Sequence, residues 1–589
     1  MIRSVTPFGD GALLVDLDDV SAAHRLVDRL EAAREAGRAP DGVLQAVVGY
    51  GTVVVHLGPG RDRADVVGAW LRTLGPDAST GRTGAGTERR GDDGRAGGGP
   101  TRVVIPVTFD GPDLGPVAAA LGTTAPAVVA SLCSVDLDVA FLGFAPGFPY
   151  LVGLPGPLAS IPRRSTPRPS VPAGTVAVGG GFASVYPQST PGGWMLLGRT
   201  SVPLFDRSRP PYALLRRGDL VRFADAVGGP DHEPPRTGPS PPGGRRSALQ
   251  NRAPRFIEIL EPGLLSLVED QGRHSAAAMG VPGAGPADPG AHRLANRLVG
   301  NPDGAAAVEL TAVGPTLRFH GDTYATVVGA GAGAVDVLLD GRPVDSGTVV
   351  PVSDGQVLAI GRIRSGLRAY LAVSGGLDTP VEIGSRSSDV LCGLGPGALV
   401  AGDRLDLGPP TRPRGRLSWP TAAGAETGTG GDGRPRELRV MAGPHRLGRA
   451  QAARLCSQPW VVGEASNRIG IRLEGGAGPA DAPDERDAPG PEGDAAPVSI
   501  PSTGMVTGAV QVPPDGNPIV LMPDHATVGG YPVACCVITA DLPVLGQLRP
   551  GDTVRLSEVD PDTARAAREG WEASLDGRLS GWFPTAAGT

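Results

Sequence analysis

VPAGTVAVGGGFASVYPQSTPGGWMLLGRTSVPLF, Val171–Phe205, is a set of short apolar strands cut by Gly and Pro, and it leads into RRGDLVRF at Arg216–Phe223. Far downstream the same order returns. MVTGAVQVPPDGNPIVLMPDHATVGGYPVACCVITADLPVL, Met505–Leu545, leads into LRPGDTVRL at Leu548–Leu556. Each copy has Gly-x-Val-x-Val, a Pro-containing strand, Thr-x-Gly-Gly-aromatic, another strand, then Gly-Asp before an alternating strand. Such self-similarity marks repeated structural units. Gly-Asp is good turn chemistry, and the alternation after it turns one face inward. Related hairpins recur at VSDGQVLAIG, Val352–Gly361, and VAGDRLDLG, Val400–Gly408. So many short strands would expose many edges, and closing the sheets removes them. The expectation is a mainly β chain of two or three closed or partly closed barrels, with α/β decoration at the front.

Composition agrees. The chain has 589 residues, 90 of them Gly and 61 Pro, with 40% hydrophobic residues and a net charge of −7. That is globular composition, about four domains long as a prior. Mild acidity argues against nucleic acid as a partner. All basic residues are Arg, and Lys is absent. A Walker A loop, a Schiff-base nucleophile and a biotin-carrying lysine are thereby excluded from this chain. Five scattered Cys, with no CxxC and no His at zinc spacing, fit neither a disulfide framework nor a structural zinc site. No metal site is expected. Acidic residues stand too early for a signal peptide, and no apolar run reaches membrane-spanning length. The expectation is a reduced, soluble, cytoplasmic protein without membrane contact.

Composition shifts divide the chain into a small α/β unit at 1–75, a linker at 76–100, a barrel at 101–225 and a linker at 226–254. A second barrel follows at 255–410, a linker at 411–435, and a third barrel at 436–560 with a disordered insertion at 475–497, then a tail at 561–589. In the first unit, SAAHRLVDRLEAAREAG spaces Leu26, Leu30 and Ala33 for one helical face.

Several stretches carry chemistry. FLGFAPGFPYLVGLP, Phe141–Pro155, concentrates rings in a chain that is 4% aromatic. Pro146 and Pro149 fix φ, and Gly147 permits positive φ. Phe144, Phe148 and Tyr150 either plug a barrel mouth or wall a pocket whose free backbone N–H groups bind an anion. Gly192 and Gly193, like Gly529, Gly530 and the adjoining Tyr531, are either plain hairpin turns or places where backbone approaches a ligand. Arg199 and Arg386 end apolar strands and need an anionic partner, either an internal carboxylate or a bound substrate. Asp288 is a natural N-cap for AHRLANRLVG, and Asn296 lies on that helix. With Glu309 these are either capping and packing groups or a polar wall with Asp288 or Glu309 moving protons. His525, beside Asp524, is the histidine best placed for catalysis.

The chain resembles two families joined in one polypeptide. TPFGDGALLV, GFAPGFPYL, PRRSTPRPSVPAGTVAV, YPQSTPGGW and LLGRT are similar to allophanate hydrolase subunit 1, also called the B subunit of 5-oxoprolinase. GLLSLVEDQGR, GVPGAGPADPGAHRLANRLVGN, GLRAYLAVSGGLD, GSRSSD, NRIGIRLEG, VTGAVQVPPDGNPIVLMPD and GGYPV resemble allophanate hydrolase subunit 2, or the C subunit of 5-oxoprolinase. The resemblance implies cyclophilin-like barrels. It implies ATP-dependent opening of 5-oxoproline to glutamate together with a separate A-type subunit of 5-oxoprolinase, the ATP carried with Mg²⁺. The other chemistry it implies is the carboxyltransferase step of a urea carboxylase or urea amidolyase, and some relatives resemble inhibitors of a sensor kinase. Arg368, Gln511 and Asp515 join the expected substrate- or nucleotide-binding groups, and a homo-oligomer is compatible with the reading. Cys133, Ala287, Asn467, Ala526 and Val528 depart from the family pattern.

Overall fold

The computed structural model describes residues 1–58, 63–74, 100–164, 166–208, 210–226, 255–331, 333–413, 435–447, 449–475 and 500–577. The three linkers and the 475–497 insertion read from the sequence lie almost wholly outside them.

The first unit is a four-stranded antiparallel sheet in the order Ile2–Pro7, Ala12–Leu17, Thr52–Leu57, Val43–Val48. Two helices accompany it, Val20–Glu35 and Arg63–Thr73. Asp19 caps the first by accepting from the Ala22 N–H at 2.7 Å. Leu26, Leu30 and Ala33 are buried, the face their spacing predicts.

Both copies of the repeat build the same ring. In the first, a seven-stranded sheet runs from Met195–Arg199 across to Arg102–Val107. Thr108 and Arg199, at its two edges, exchange N–H···O bonds of 2.8 and 2.9 Å, so the edges meet. In the second, seven strands between Arg436–Ala442 and Thr553–Glu558 form a closed barrel. The strand after each Gly-Asp pairs parallel to the first strand of its unit: Leu220–Asp225 on Arg102–Val107, and Thr553–Glu558 on Arg436–Ala442. Each Thr-x-Gly-Gly segment forms a short ribbon, with Arg168–Val171 in one copy and Thr503–Gly504 in the other.

Residues 255–410, expected as a barrel, differ. Six strands and five strands form two sheets whose inner faces share one core, with Ile257, Phe319 and Ile360 from one and Val308, Val327 and Leu371 from the other. Alternation alone does not distinguish a ring from a pair of sheets, because both bury every second residue. The helix Pro289–Leu298, capped by Asp288, packs on this unit through Leu294, Ala295 and Leu298.

The units interlock. One core joins Leu14 and Val54 of the first sheet, the rings of the first barrel, and Met505, Val528 and Cys536 of the last. The C-terminal helix Pro561–Gly577 lies against the last barrel through Ala564 and against the Pro289–Leu298 helix through Leu575.

Candidate functional site

The aromatic loop is a plug. Phe141 stacks on Tyr150 with centroids 4.4 Å apart, and Phe148 meets Phe144, Tyr186 and Trp194 edge-on at 5.2, 5.2 and 5.5 Å. Phe148 and Tyr150 are buried, and Phe144 is half-buried with φ 66°. The backbone donors expected to cradle an anion are used internally: Gly143 N–H bonds Phe148 O, Phe148 N–H bonds Ala145 O, and Gly147 N–H bonds Met279 O. The loop does meet both Gly-Gly hairpins. Trp194 packs on it, and a Cβ at Gly143 would lie 2.1 Å from Val528 Cγ2. That junction is a packed seam in place of the aromatic-walled pocket expected.

The open space lies beside the seam. A cavity of about 310 Å³ sits where three units meet. Phe8–Gly11, Gln45 and His56 come from the first sheet, His274, Gly283 and Ala284 from the middle unit, and Thr507, His525, Thr527, Cys536 and Thr539 from the last barrel. Its polar atoms are under-satisfied. Asp10 Oδ1 accepts from the Thr539 N–H and hydroxyl, both at 2.9 Å. Asp10 Oδ2, Gln45 Oε1, His56 Nε2 and Thr527 Oγ1 are shielded from solvent and have no hydrogen-bond partner among the described residues. Leaving such groups unmade costs about 1–3 kcal/mol each, so a polar guest is favoured. His525 Nδ1 lies 2.7 Å from Ala526 O and donates to it, which leaves Nε2 as an acceptor. Burial, reinforced by His525 and His274, pushes His56 down to about 4, and burial lowers His525 too. The His56 and His525 imidazoles are therefore neutral near pH 7.

Behind the wall stands a buried ionic hub. Arg468 grips Asp524 through two bonds of 3.0 and 2.9 Å, reaches Glu309 through Nη1, and donates to Gly285 O at 2.7 Å. Glu269 Oε1 lies 3.3 Å from it. Because Ala284 N–H also bonds Pro523 O, Arg468 fastens the 283–285 and 523–525 segments that line the cavity. Burial opposes the Glu309 charge, but Arg468 and Arg368 outweigh it and hold the carboxyl below its usual range. Burial wins at Asp524, Glu269 and Asp288, whose carboxyls are raised.

This places the expected catalytic groups. His525 lines the cavity. Asp288 and Glu309 do not: Asp288 accepts from Ala291 N–H and Gln547 Nε2, and Glu309 accepts from Tyr370 Oη at 2.7 Å and Ala287 N–H at 2.9 Å. Arg368 sits 3.3 Å from Glu309 and donates to Gly546 O. Asn296 donates to Ala305 O at 2.8 Å. These four are interior packing groups, because a helix cap and a strand interior face the core here and not the opening.

Other expected binders are dispersed. Arg386 pairs with Asp378 and Arg199 with Asp110, each at 2.8 Å, in ion pairs that stay open to solvent and away from the cavity. Arg199 and Cys133 share a separate cleft of about 1130 Å³ on the first barrel. Gly192 makes room for Tyr186, whose Oη would lie 2.3 Å from an added Cβ, and Gly529 does so for Gln511, whose Nε2 would lie 2.5 Å away. Gly193 and Gly530 are half-buried turn positions, Tyr531 is exposed, and exposed Asp515 caps a turn at Asn517 N–H. Gln511 donates to Met505 Sδ at 3.4 Å. Among the described residues no cluster of three or more His, Cys, Asp or Glu is placed to hold a metal ion. No single described helix is long and apolar enough to cross a membrane. The groups missed were Asp10, Gln45, His56 and Thr527. The signal for Asp10 was an acid between two glycines in TPFGDGALLV.

Residues 3–215 match the family described as carboxyltransferase domain, subdomain C and D, and residues 279–558 match carboxyltransferase domain, subdomain A and B. The second half is 35% identical over 319 residues to the C subunit of 5-oxoprolinase from Escherichia coli K12, covering 53% of this chain and 94% of that one. The first half is 52% identical over 124 residues to the B subunit of 5-oxoprolinase from Escherichia coli O157:H7, covering 20% of this chain and 56% of that one. The crystal structure of TTHA0988, 34% identical, matches with a TM-score of 0.74 over 95% of this chain and 100% of that chain. The chain belongs to the carboxyltransferase-domain family that contains the B and C subunits of 5-oxoprolinase.

Proposed function

We propose that this chain is a fused B and C pair of a 5-oxoprolinase-type complex, opening 5-oxoproline to glutamate with ATP and a separate A-type subunit. The observation that carries this is the shared cavity. The region matched as subdomain C and D supplies Asp10 and His56, and the region matched as subdomain A and B supplies His525 and Thr527, to one cavity. Its volume falls near the lower end of small-ligand pockets, roughly 300–1,000 Å³. A lactam matches the lining. Asp10 Oδ2 accepts the ring N–H, the Thr527 hydroxyl donates to the carbonyl oxygen, and neutral His525 Nε2 takes a proton from an attacking water and passes it to the ring nitrogen as the C–N bond breaks.

An unstrained amide is a hard substrate, and ATP supplies the activation of its carbonyl oxygen. The cavity does not fit the nucleotide itself: among the described residues no Arg lines it, and a triphosphate needs positive charge. Nucleotide and Mg²⁺ are accordingly assigned to the partner or to its interface with this chain. The test is 5-oxoproline-dependent ADP release by the purified chain with and without an A-type partner. Activity only in the combination is expected, and none in either would sink the proposal. The family's carboxyltransferase description favours a second reading, in which an added biotinylated carrier supports carboxyl exchange. Exchange without ADP release would select it.

A further inference from the structure

The C-terminal helix Pro561–Gly577 lies beyond both family-matched regions, and it contacts Asp10, one of the residues that line the cavity. One end is anchored on the middle unit. Glu572 forms a fork with Arg293 at 2.9 and 2.8 Å, Asp576 pairs with Arg297 at 2.6 Å, and Arg293 lies over the Trp571 ring. Its other end packs Ala564 against Met441 and Ile538 of the last barrel. Between these anchors Arg568 crosses to the first unit. Its Nη1 donates to Asp10 O at 2.9 Å and stands 4.0 Å from Asp10 Oδ2, the carboxylate oxygen left without a hydrogen bond. The Asp10 side chain is only 9% exposed. The turn it holds is tight: Gly9 has φ 67°, and a Cβ there would lie 3.1 Å from Cys536 Cβ.

We propose that the C-terminal helix is part of the cavity's construction and that Arg568 is a positioning residue. It holds the Gly9–Gly11 turn against Cys536 and aims the free oxygen of Asp10 at the guest. Thr539 grips the other oxygen, so the carboxylate is fixed from two units while it serves a third surface. Only the consequence for turnover rests on the cavity being the 5-oxoproline site.

Cys536 reports the hold directly, because it lines the cavity under that turn, while its neighbour Cys535 does not line it. The experiment is N-ethylmaleimide labelling of the full chain, mapped by mass spectrometry, for wild type, Arg568→Ala and Arg568→Lys. In Arg568→Ala, Cys536 should label about tenfold faster with Cys535 unchanged, as a local opening predicts. Arg568→Lys should restore slow labelling. Wild-type labelling of Cys536 in Arg568→Ala overturns the proposal. So does equal acceleration at Cys535, which would make the helix a general strap. In the active complex, Arg568→Ala should raise KM for 5-oxoproline more than it lowers kcat. Failure of 5-oxoproline to protect Cys536 in wild type would count against the substrate reading and leave the Arg568 hold standing.

Discussion

The two ring-forming repeats share strand order and hairpin chemistry and use them differently. In the 101–225 barrel the Gly-Gly hairpin delivers Trp194 into a packed ring cluster, and the nearest internal ion pair, Arg168 with Asp113 at 2.8 Å, is partly exposed on the Arg side. In the 436–558 barrel the matching hairpin leaves Tyr531 exposed, directs Thr527 at the cavity, and stands next to a fully buried Arg468 hub. The first copy's hairpin serves the seam between halves, and the second copy's serves the seam through Val528 and the cavity through Thr527. A shared backbone sets where a hairpin lies, and its side chains set what it does.

The sharpest break of that comparison is at the charges. Arg468→Ala strands Asp524 and Glu269 without their cation and leaves Glu309 only Arg368, and breaking one side of a buried pair costs about 3–5 kcal/mol. Arg168→Ala should cost less, because Asp113 keeps the Arg164 guanidinium at 3.8 Å and the Leu196 N–H at 2.7 Å. Urea denaturation of both variants should separate them clearly, and equal losses would show that the hub is not a special feature of the second copy. Next come the aromatics. Phe148→Ala empties a packed position and should cost about 3–5 kcal/mol, whereas Tyr531→Ala, on the surface, should stay within about 0.5 kcal/mol.

The contrast also separates what the sequence made legible from what it did not. The repeat was readable because Gly-Asp turns and period-two alternation are local, whereas the parallel closures pair strands remote in sequence. The 255–410 unit was less so, since pairing two sheets across a core depends on contacts remote in sequence. The site was mostly hidden. Arg199 and Arg386 looked like anion binders because strand-end guanidinium groups need partners, but Asp110 and Asp378 supply those partners from elsewhere in the chain. Asp10 and His56 could not be joined to His525 from sequence, as they meet only when the first sheet docks on the last barrel.

The paired threonines test function with little change in stability. Thr190 and Thr527 are both buried, and each hydroxyl lacks a hydrogen-bond partner among the described residues, but Thr527 alone of the two lines the cavity. Replacing either by Val removes an unsatisfied group and should leave the melting temperature nearly unchanged or higher. Thr527→Val should lower kcat/KM about tenfold, roughly 1.4 kcal/mol of lost transition-state stabilisation, and Thr190→Val should not. Equal kinetics for the two would remove Thr527 from the site.

The last effect is in the acid limb of stability, and it too should map to one side of the comparison. His56 is held neutral in the fold, at about 4 against an ordinary 6.5, chiefly by burial. Below 6.5 the unfolded chain binds a proton that the folded chain refuses. Stability is therefore complete above 6.5, falls as pH drops toward about 4, and loses nothing more from this group below that. His525, lowered by burial, adds a loss of the same sign. His56→Gln should flatten part of this fall, read as denaturation midpoints across the window. The 101–225 barrel contains no histidine, so Thr190→Val should move the whole curve without changing its shape. An unchanged slope in His56→Gln would mean that water reaches this imidazole freely, and the cavity wall would then be open where the first sheet meets the last barrel.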